Sequence, residues 1–255
     1  MATFLFDQMV FGPVKSRRFG KSLGINLLPD NKKICSFNCL YCECGWTGKS
    51  ESVFPSAGNV KEALKDRLET MALHNDLPDT ITFAGNGEPT LHPDFLDIMK
   101  FTIALRDQHA PLSKVAVLSN STTLDRSDVK EALILADYNV LKLDAGTDKT
   151  FNLINNPSRP LLLKDIVNNL KAFQRNVIIQ TLFFRGMFAG EFIDNSLAVD
   201  LYPWLDYLCE IAPREVMIYS LERGTPALDL KKLSQEELQA ISMMVEARGI
   251  KTQVY

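Results

Sequence analysis

Residues Thr80–Leu105 read TITFAGNGEPTLHPDFLDIMKFTIAL. Thr80–Ala84 is a short run rich in β-branched residues, which suits a pleated strand. A glycine-containing turn follows at Gly85–Gly87. From about Pro93, the residues Phe95, Ile98, Met99, Thr102 and Leu105 fall on one face of a helix, and proline is tolerated in a first helical turn. Strand, turn and amphipathic helix make one βα unit. The order recurs outward in both directions. Further strands are expected at Leu23–Leu27, Lys114–Leu118, Val140–Asp144, Val177–Leu182 and Val216–Tyr219, with Ile250–Val254 as a closing strand. Helices are expected from Asn59, whose spacing to Glu62 is that of a capping box, at Ser127–Leu135, near Thr147–Leu153 and at Leu163–Phe173. Asn195–Ala212 is helical but kinked at, or starting at, Pro203, and a last helix opens on the capping pair Ser234 and Glu237. About six parallel units fit a partial (β/α) barrel or a doubly wound sheet, and either places its reactive site at the C-terminal strand ends.

With 255 residues, 46% hydrophobic and 23% charged, the chain has the make-up of a globular protein with a sizeable core. The net charge of -3 does not advertise a polyanion partner. Locally, Lys15, Arg17, Arg18, Lys21, Lys32 and Lys33 are opposed only by Asp30, which predicts a basic patch beside the cysteines. The opening MATFLFDQMVFGPV lacks a basic n-region and is broken by Asp7 and Pro13, so it does not read as a signal peptide. No apolar run reaches the roughly 18 residues of a membrane span. These features point to a cytoplasmic protein with no membrane partner.

Four of the five cysteines, Cys35, Cys39, Cys42 and Cys44, lie within ten residues, which favours metal binding over disulfides. Cys35-Ser-Phe-Asn-Cys39-Leu-Tyr-Cys42 is C-x3-C-x2-C with an aromatic residue before the last cysteine. Thiolates are soft donors that suit iron–sulfur clusters and zinc. Three of them on a four-iron cube leave one iron open to a ligand. The alternative is a closed site in which Cys44 completes four thiolates on zinc, although zinc ligands usually come as two separated knuckles. Cys209, beside Leu208 and Ile211, is expected to be a buried small hydrophobe.

The C-x3-C-x-aromatic-C run resembles the radical S-adenosylmethionine (SAM) superfamily. So do FGPVKSRRFGKSLGINLLP (Phe11–Pro29), KICSFNCLYCECGWT (Lys33–Thr47), TFAGNGEPTLHPDF (Thr82–Phe95), VAVLSNSTTL (Val115–Leu124) and LKLDAGTDKTFNLIN (Leu141–Asn155). Together they look like a group of stand-alone iron–sulfur oxidoreductases, more distantly similar to the radical SAM enzymes of wybutosine synthesis on transfer RNA. The resemblance implies an α/β fold, a partial (β/α)6 TIM-type barrel of parallel strands with outer helices. It implies one radical SAM core domain over 1–255, with an N-terminal extension at 1–22, a cluster-bearing loop at 29–58 and a C-terminal helix and strand at 226–255.

The cofactors implied are a [4Fe-4S] cluster on Cys35, Cys39 and Cys42, and SAM, cleaved to a 5′-deoxyadenosyl radical that abstracts hydrogen from a substrate. Gly85-Asn86-Gly87-Glu88-Pro89 takes the place of the family's Gly-Gly-Glu-Pro, whose backbone carbonyls accept the SAM amino group. Asn86 replaces the first glycine, leaving Gly85 to provide the freedom. By the same likeness Ser119 and Asn120 contact the SAM carboxylate or ribose, Asp144 the ribose hydroxyls, and Tyr41 lies against the adenine or shields the cluster. Each of these also has a structural alternative as a strand-end turn, helix cap or packing residue. No catalytic side chain is assigned. The partners implied are SAM, a reductant such as flavodoxin or ferredoxin, and a small-molecule, RNA or protein substrate.

Position alone adds Gln180, Arg185, Glu222 and Arg223 as pocket candidates and His92 as a neighbour of SAM. Arg17 and Arg18 are expected to form a salt bridge sealing the barrel's base, with phosphate or RNA contacts as the alternative. A zinc- or cluster-binding structural or electron-transfer protein is the rival function from another class.

Overall fold

The computed structural model describes residues 4–48 and 53–255. In chain order the regular elements are β1 (Val10–Ser16), β2 (Gly20–Ile25), α1 (Ala57–Leu73), β3 (Thr80–Phe83), α2 (Phe95–His109), β4 (Lys114–Ser119), α3 (Ser127–Leu135), β5 (Tyr138–Lys142), α4 (Asp148–Asn155), α5 (Leu163–Lys171), β6 (Ile178–Leu182), β7 (Phe184–Phe188), β8 (Glu191–Asp194), α6 (Ala198–Ile211), β9 (Glu215–Tyr219), β10 (Leu230–Lys232), α7 (Gln235–Glu246) and β11 (Thr252–Val254). The main sheet runs β1-β2-β3-β4-β5-β6-β9-β11. From β2 to β11 every neighbouring pair is parallel, and only β1 is antiparallel. The edge strands β1 and β11 do not pair with each other, so the barrel is partial.

The alternation of side chains along each strand builds two apolar regions. Val115, Val117, Leu141, Ile179, Val216 and Ile218 belong to the main core, together with Leu64 and Leu68 of α1, Ile98 of α2 and Leu208 of α6. Val140, Ile178 and Met217, from positions one residue out of step, join Phe19 in a second small cluster that fills the lower lumen. Leu118 and Tyr138 pack against it.

Several local expectations need correction. The N-cap of α1 is Ser56, whose hydroxyl accepts from Asn59 N at 3.2 Å, so the helix starts before the expected Asn59/Glu62 box. The stretch expected as an N-terminal extension supplies β1 and the start of β2. β7, β8 and β10 form a three-stranded antiparallel sheet that the periodicity did not announce. Helix α6 starts at Ala198, well before Pro203, which lies inside it. Cys209 is exposed, because its neighbour Leu208 takes the core-facing position of that helix. The capping box of Ser234 and Glu237 is present, with both reciprocal bonds made.

The cysteine loop leaves the C-terminal end of β2 and is tied down on two sides. Toward β3, Ile34 N donates to Asn86 O (2.9 Å) and Glu88 N to Ile34 O (3.0 Å). Toward α4, Asn38 N donates to Asn155 O (2.9 Å) and Leu40 N to Ile154 O (3.0 Å). Gly87 makes the first of these contacts possible. It adopts φ +137, and a Cβ there would lie 1.8 Å from Ile34 O.

Candidate functional site

A cavity of about 320 Å³ opens at the C-terminal strand ends, near the small end of the roughly 300–1,000 Å³ typical of ligand sites. Its walls come from the cysteine loop (Lys33, Cys35, Cys39, Tyr41, Cys42, Glu43, Cys44), the turn after β3 (Ala84, Gly85, Gly87, Glu88) and the ends of the strands beyond. Leu118, Ser119 and Asn120 come from β4 and its end, Lys142 from β5, Gln180 and Leu182 from β6, Tyr219 from β9, and Arg18 from the β1–β2 turn. All four loop cysteines therefore share one cavity with the glycine turn.

The thiols sit among N–H donors. Cys35 Sγ accepts from Asn120 Nδ2 at 3.3 Å and from Phe37 N at 3.4 Å. Cys39 Sγ accepts from Lys142 Nζ at 3.4 Å and from Asn155 Nδ2 at 3.5 Å. N–H donors of this kind are the usual surroundings of a metal-bound sulfur. Burial pushes the Cys35 thiol up to about 12, only partly offset by Lys33, so without a metal it keeps its proton. The hydrogen bond with Cys44 pulls Cys42 down to about 5, helped by Lys33 and Lys142, and the same bond drives Cys44 up. Cys44 Sγ also points at Gly85 O, 3.4 Å away. Among the described residues, no three His, Cys, Asp or Glu side chains are gathered as ligands of a single ion.

The glycine turn has both the strain and the closeness expected of it. Gly85 adopts φ +152, and a Cβ there would lie 2.3 Å from Asn26 Oδ1. The Asn86 side chain turns away from the cavity: Oδ1 accepts from Phe6 N and Nδ2 donates to Phe6 O and Pro29 O, all at 2.8 Å. It ties residue 6 and the loop entry to the turn. Asn86 O is held by Ile34 N, Glu88 O by Leu91 N and Pro89 O by His92 N, and of the five residues Gly85, Gly87 and Glu88 line the cavity. The Glu88 carboxylate is buried and accepts from Thr90 N (3.1 Å) and Asn120 N (2.6 Å), so it joins β3 to β4 while burial raises its pKa.

Ser119 and Asn120 line the cavity; Asn120 braces the cysteine loop through Ser36 Oγ (2.9 Å) and accepts from Thr122 N in its own turn (3.0 Å). Asp144 does not line it. Its carboxylate lies behind Tyr41 and Lys142, accepting from the Tyr41 hydroxyl, from Asn155 Nδ2 (3.1 Å) and from Leu182 N (3.0 Å), with Lys142 Nζ at 3.7 Å. Asp144 therefore anchors the wall. Burial and Asp144 hold the Tyr41 hydroxyl protonated, and the same two influences push Tyr219 up to about 12.

Lys142 was not singled out from the sequence, although the period-2 alternation along Tyr138, Val140 and Lys142 puts it on the inner face. Its ammonium lies 4.9 Å from the Tyr41 ring. Burial opposes its charge, but Cys39 and Asp144 outweigh burial and raise its pKa. Arg17 and Arg18 do not seal the base with a salt bridge. The β1–β2 turn lies near β9, with the Arg18 guanidinium 5.6 Å from the Tyr219 ring centre. Arg17 pairs weakly with Glu222 at 3.8 Å, and Arg18 enters the cavity.

The expected basic patch is dispersed. Lys33 is buried and donates to Gly45 O (3.0 Å), and Lys21 pairs with Asp76 (2.5 Å). Arg185 bridges Asp194 (2.9 Å) and Glu237 (2.6 Å), and Arg223 pairs with Glu43 (2.7 Å). His92 is structural, its ring bonded to Pro55 O (2.8 Å) and to Asp94 N (3.1 Å).

The Radical SAM superfamily model matches residues 33–195, which span the cysteine loop and the strands to β8. A UPF0026 protein of Helicobacter pylori (strain J99) is 30% identical over 247 residues, covering 93% of this chain and 74% of that protein. A Brachyspira hyodysenteriae protein named GTPase Obg is 31% identical over 243 residues, 95% of this chain. The chain spans only 34% of its length. Among solved structures, a radical SAM methyltransferase from Sphaerobacter thermophilus superposes with TM-score 0.66 at 15% identity, covering 92% of this chain and 65% of that one. Archaeal TYW1 superposes with TM-score 0.56 at 15% identity, over 89% and 72% of the two chains. These structural likenesses speak for the fold, a partial TIM-type barrel, and no helix among the described residues is long and apolar enough to cross a membrane. With the family match covering more than half its length and the cysteine loop seated at the barrel mouth, the chain belongs to the radical SAM superfamily.

Proposed function

We propose that this chain is a radical SAM enzyme with one [4Fe-4S] cluster on Cys35, Cys39 and Cys42, acting as a single core domain over 1–255. The observation that carries this is the shared cavity of the three thiols, the glycine turn and the strand ends. Family membership implies an iron–sulfur cluster and SAM, and the donor set fits: soft thiols, N–H donors aimed at two of them, and an adjacent turn carrying two glycines. Held by Cys35, Cys39 and Cys42, such a cluster would supply the electron for reductive cleavage of SAM and so for hydrogen abstraction from a substrate.

The residues have distinct tasks. Gly85 and Gly87 offer close backbone approach to the amino group of SAM. Ser119 and Asn120 face its carboxylate or ribose. Tyr41 covers the cluster edge, while Leu118 and Leu182 present apolar side chains to the lumen and help to enclose a reactive carbon radical. Asp144 and Pro89 act as positioning residues. A reductant such as flavodoxin or ferredoxin completes the system, in the reducing compartment that an oxygen-sensitive cluster requires, the cytoplasm. The substrate is a small molecule, an RNA or a protein.

Anaerobic reconstitution of the full chain tests this. The expected product is a brown protein with about four irons, which cleaves SAM to 5′-deoxyadenosine when reduced with dithionite. A colourless protein carrying one zinc, or a brown one inert toward SAM, supports the rival structural or electron-transfer role instead.

A further inference from the structure

Three cations line the cavity: Lys33, Lys142 and Arg18. Two have partners that explain them. Lys33 holds Gly45 O at the root of the cysteine loop, and Lys142 lies between Cys39 Sγ and Asp144. Arg18 differs. Its Nη1 donates to Gln180 Oε1, and its guanidinium carbon lies 5.6 Å from the Tyr219 ring centre and 5.4 Å from that of Phe19. Gln180 Nε2 in turn donates to the Tyr219 hydroxyl at 2.8 Å. Every group that receives the Arg18 charge is neutral, and no carboxylate among the described residues is ion-paired with it. At the opposite end of the lumen, by contrast, Lys251 has a carboxylate partner, Glu215 at 2.6 Å.

A half-buried guanidinium without a counter-charge is costly, and its five N–H donors sit in a fork that matches a carboxylate or phosphate. Stacking on Tyr219 and bonding to Gln180 hold that fork in one orientation. Gln180 is the register partner of Lys142 on the next strand, which puts the Arg18 head beside the residue that touches Cys39. An anion held by Arg18 would place the rest of its molecule at the cluster edge. The cluster and SAM account for the cysteines and the glycine turn but leave Arg18 without a task.

We propose that Arg18, seated on Gln180 and Tyr219, anchors an anionic group, a carboxylate or a phosphate monoester, of the substrate that gives up hydrogen. The assignment of that molecule as substrate rests on the radical SAM reading above. The anion site itself rests on the geometry.

The test is calorimetric titration of the reconstituted full chain with acetate and, separately, inorganic phosphate, with thermal melting alongside. Wild type is expected to bind at least one probe and to melt higher in its presence, and the preferred probe tells carboxylate from phosphate. Arg18→Met is expected to weaken that binding at least tenfold and to lose the melting shift at unchanged iron content. Arg18→Lys should fall between. Should Arg18→Met fail to fold, Arg18→Gln, which keeps a donor toward Gln180, replaces it. Equal binding by wild type and the Arg18 variants overturns the proposal. So does a loss of binding caused by Arg214→Met or Lys251→Met, or no binding of either probe by wild type. Wild type that cleaves no SAM overturns the reading on which the substrate assignment rests, whatever the titrations give.

Discussion

The Tyr41 hydroxyl donates to the Asp144 carboxylate, joining the cysteine loop to the strand end after β5 across 103 residues of sequence. Asp144 also receives Asn155 Nδ2 and Leu182 N and lies against Lys142, so one buried carboxylate holds four elements of the wall. Removing one member of such a network leaves the others buried and unpaired, which costs about 3 kcal/mol. Asp144→Ala is expected to lower stability by about that much, read from denaturant unfolding, and to reduce the iron retained after reconstitution. Retention of full iron and stability would show that the wall does not depend on this residue.

Lys142 brings a positive charge and a hydrogen bond to Cys39 Sγ, which favours the more negative, reduced form of a cluster bound there. Lys142→Met is expected to make the reduction potential more negative by on the order of 60 mV, the one-electron equivalent of a tenfold change. Spectroelectrochemical titration of the reconstituted protein reads it. An unchanged or more positive potential contradicts the assignment of Cys39 as a ligand next to Lys142.

Cys42 and Cys44 are two residues apart and line the same cavity, yet they are assigned different fates. Cys42→Ala is expected to abolish the cluster, seen as loss of its visible absorbance and of nearly all iron. Cys44→Ala is expected to keep both, because Cys44 Sγ is directed at Gly85 O. If the Cys44 variant loses the cluster, a fourth thiolate closes the site.

Away from the site, Asp200 accepts from Thr147 N and Thr147 Oγ1 (both 2.9 Å) through Oδ1, while its Oδ2 is buried without a hydrogen-bond partner. Burial raises its pKa, outweighing the bonds from Thr147. Above the unfolded pKa of about 3.9 the native state therefore binds more protons than the unfolded one, and this residue's contribution to stability is lost as pH rises through the raised value. Asp200→Asn is expected to stabilise the chain by about 1 kcal/mol at pH 7, with the gain shrinking toward pH 4. Melting curves of the two proteins across that range decide it, and a gain that grows on acidification contradicts the assignment.

The sequence by itself determined the parallel strand–helix order, the three-cysteine loop and the glycine turn, because each is local. Period 2 against period 3.6 is written in consecutive residues, ligand spacing lies within eight residues, and only glycine takes the backbone at Gly85 and Gly87. The tertiary structure alone decided that Asp144 lies behind the cavity wall, that Asn86 faces Phe6, and that Arg18 of the β1–β2 turn lines the cavity. Those outcomes depend on which residues distant in sequence compete for the same donors and the same space. No local pattern encodes that competition.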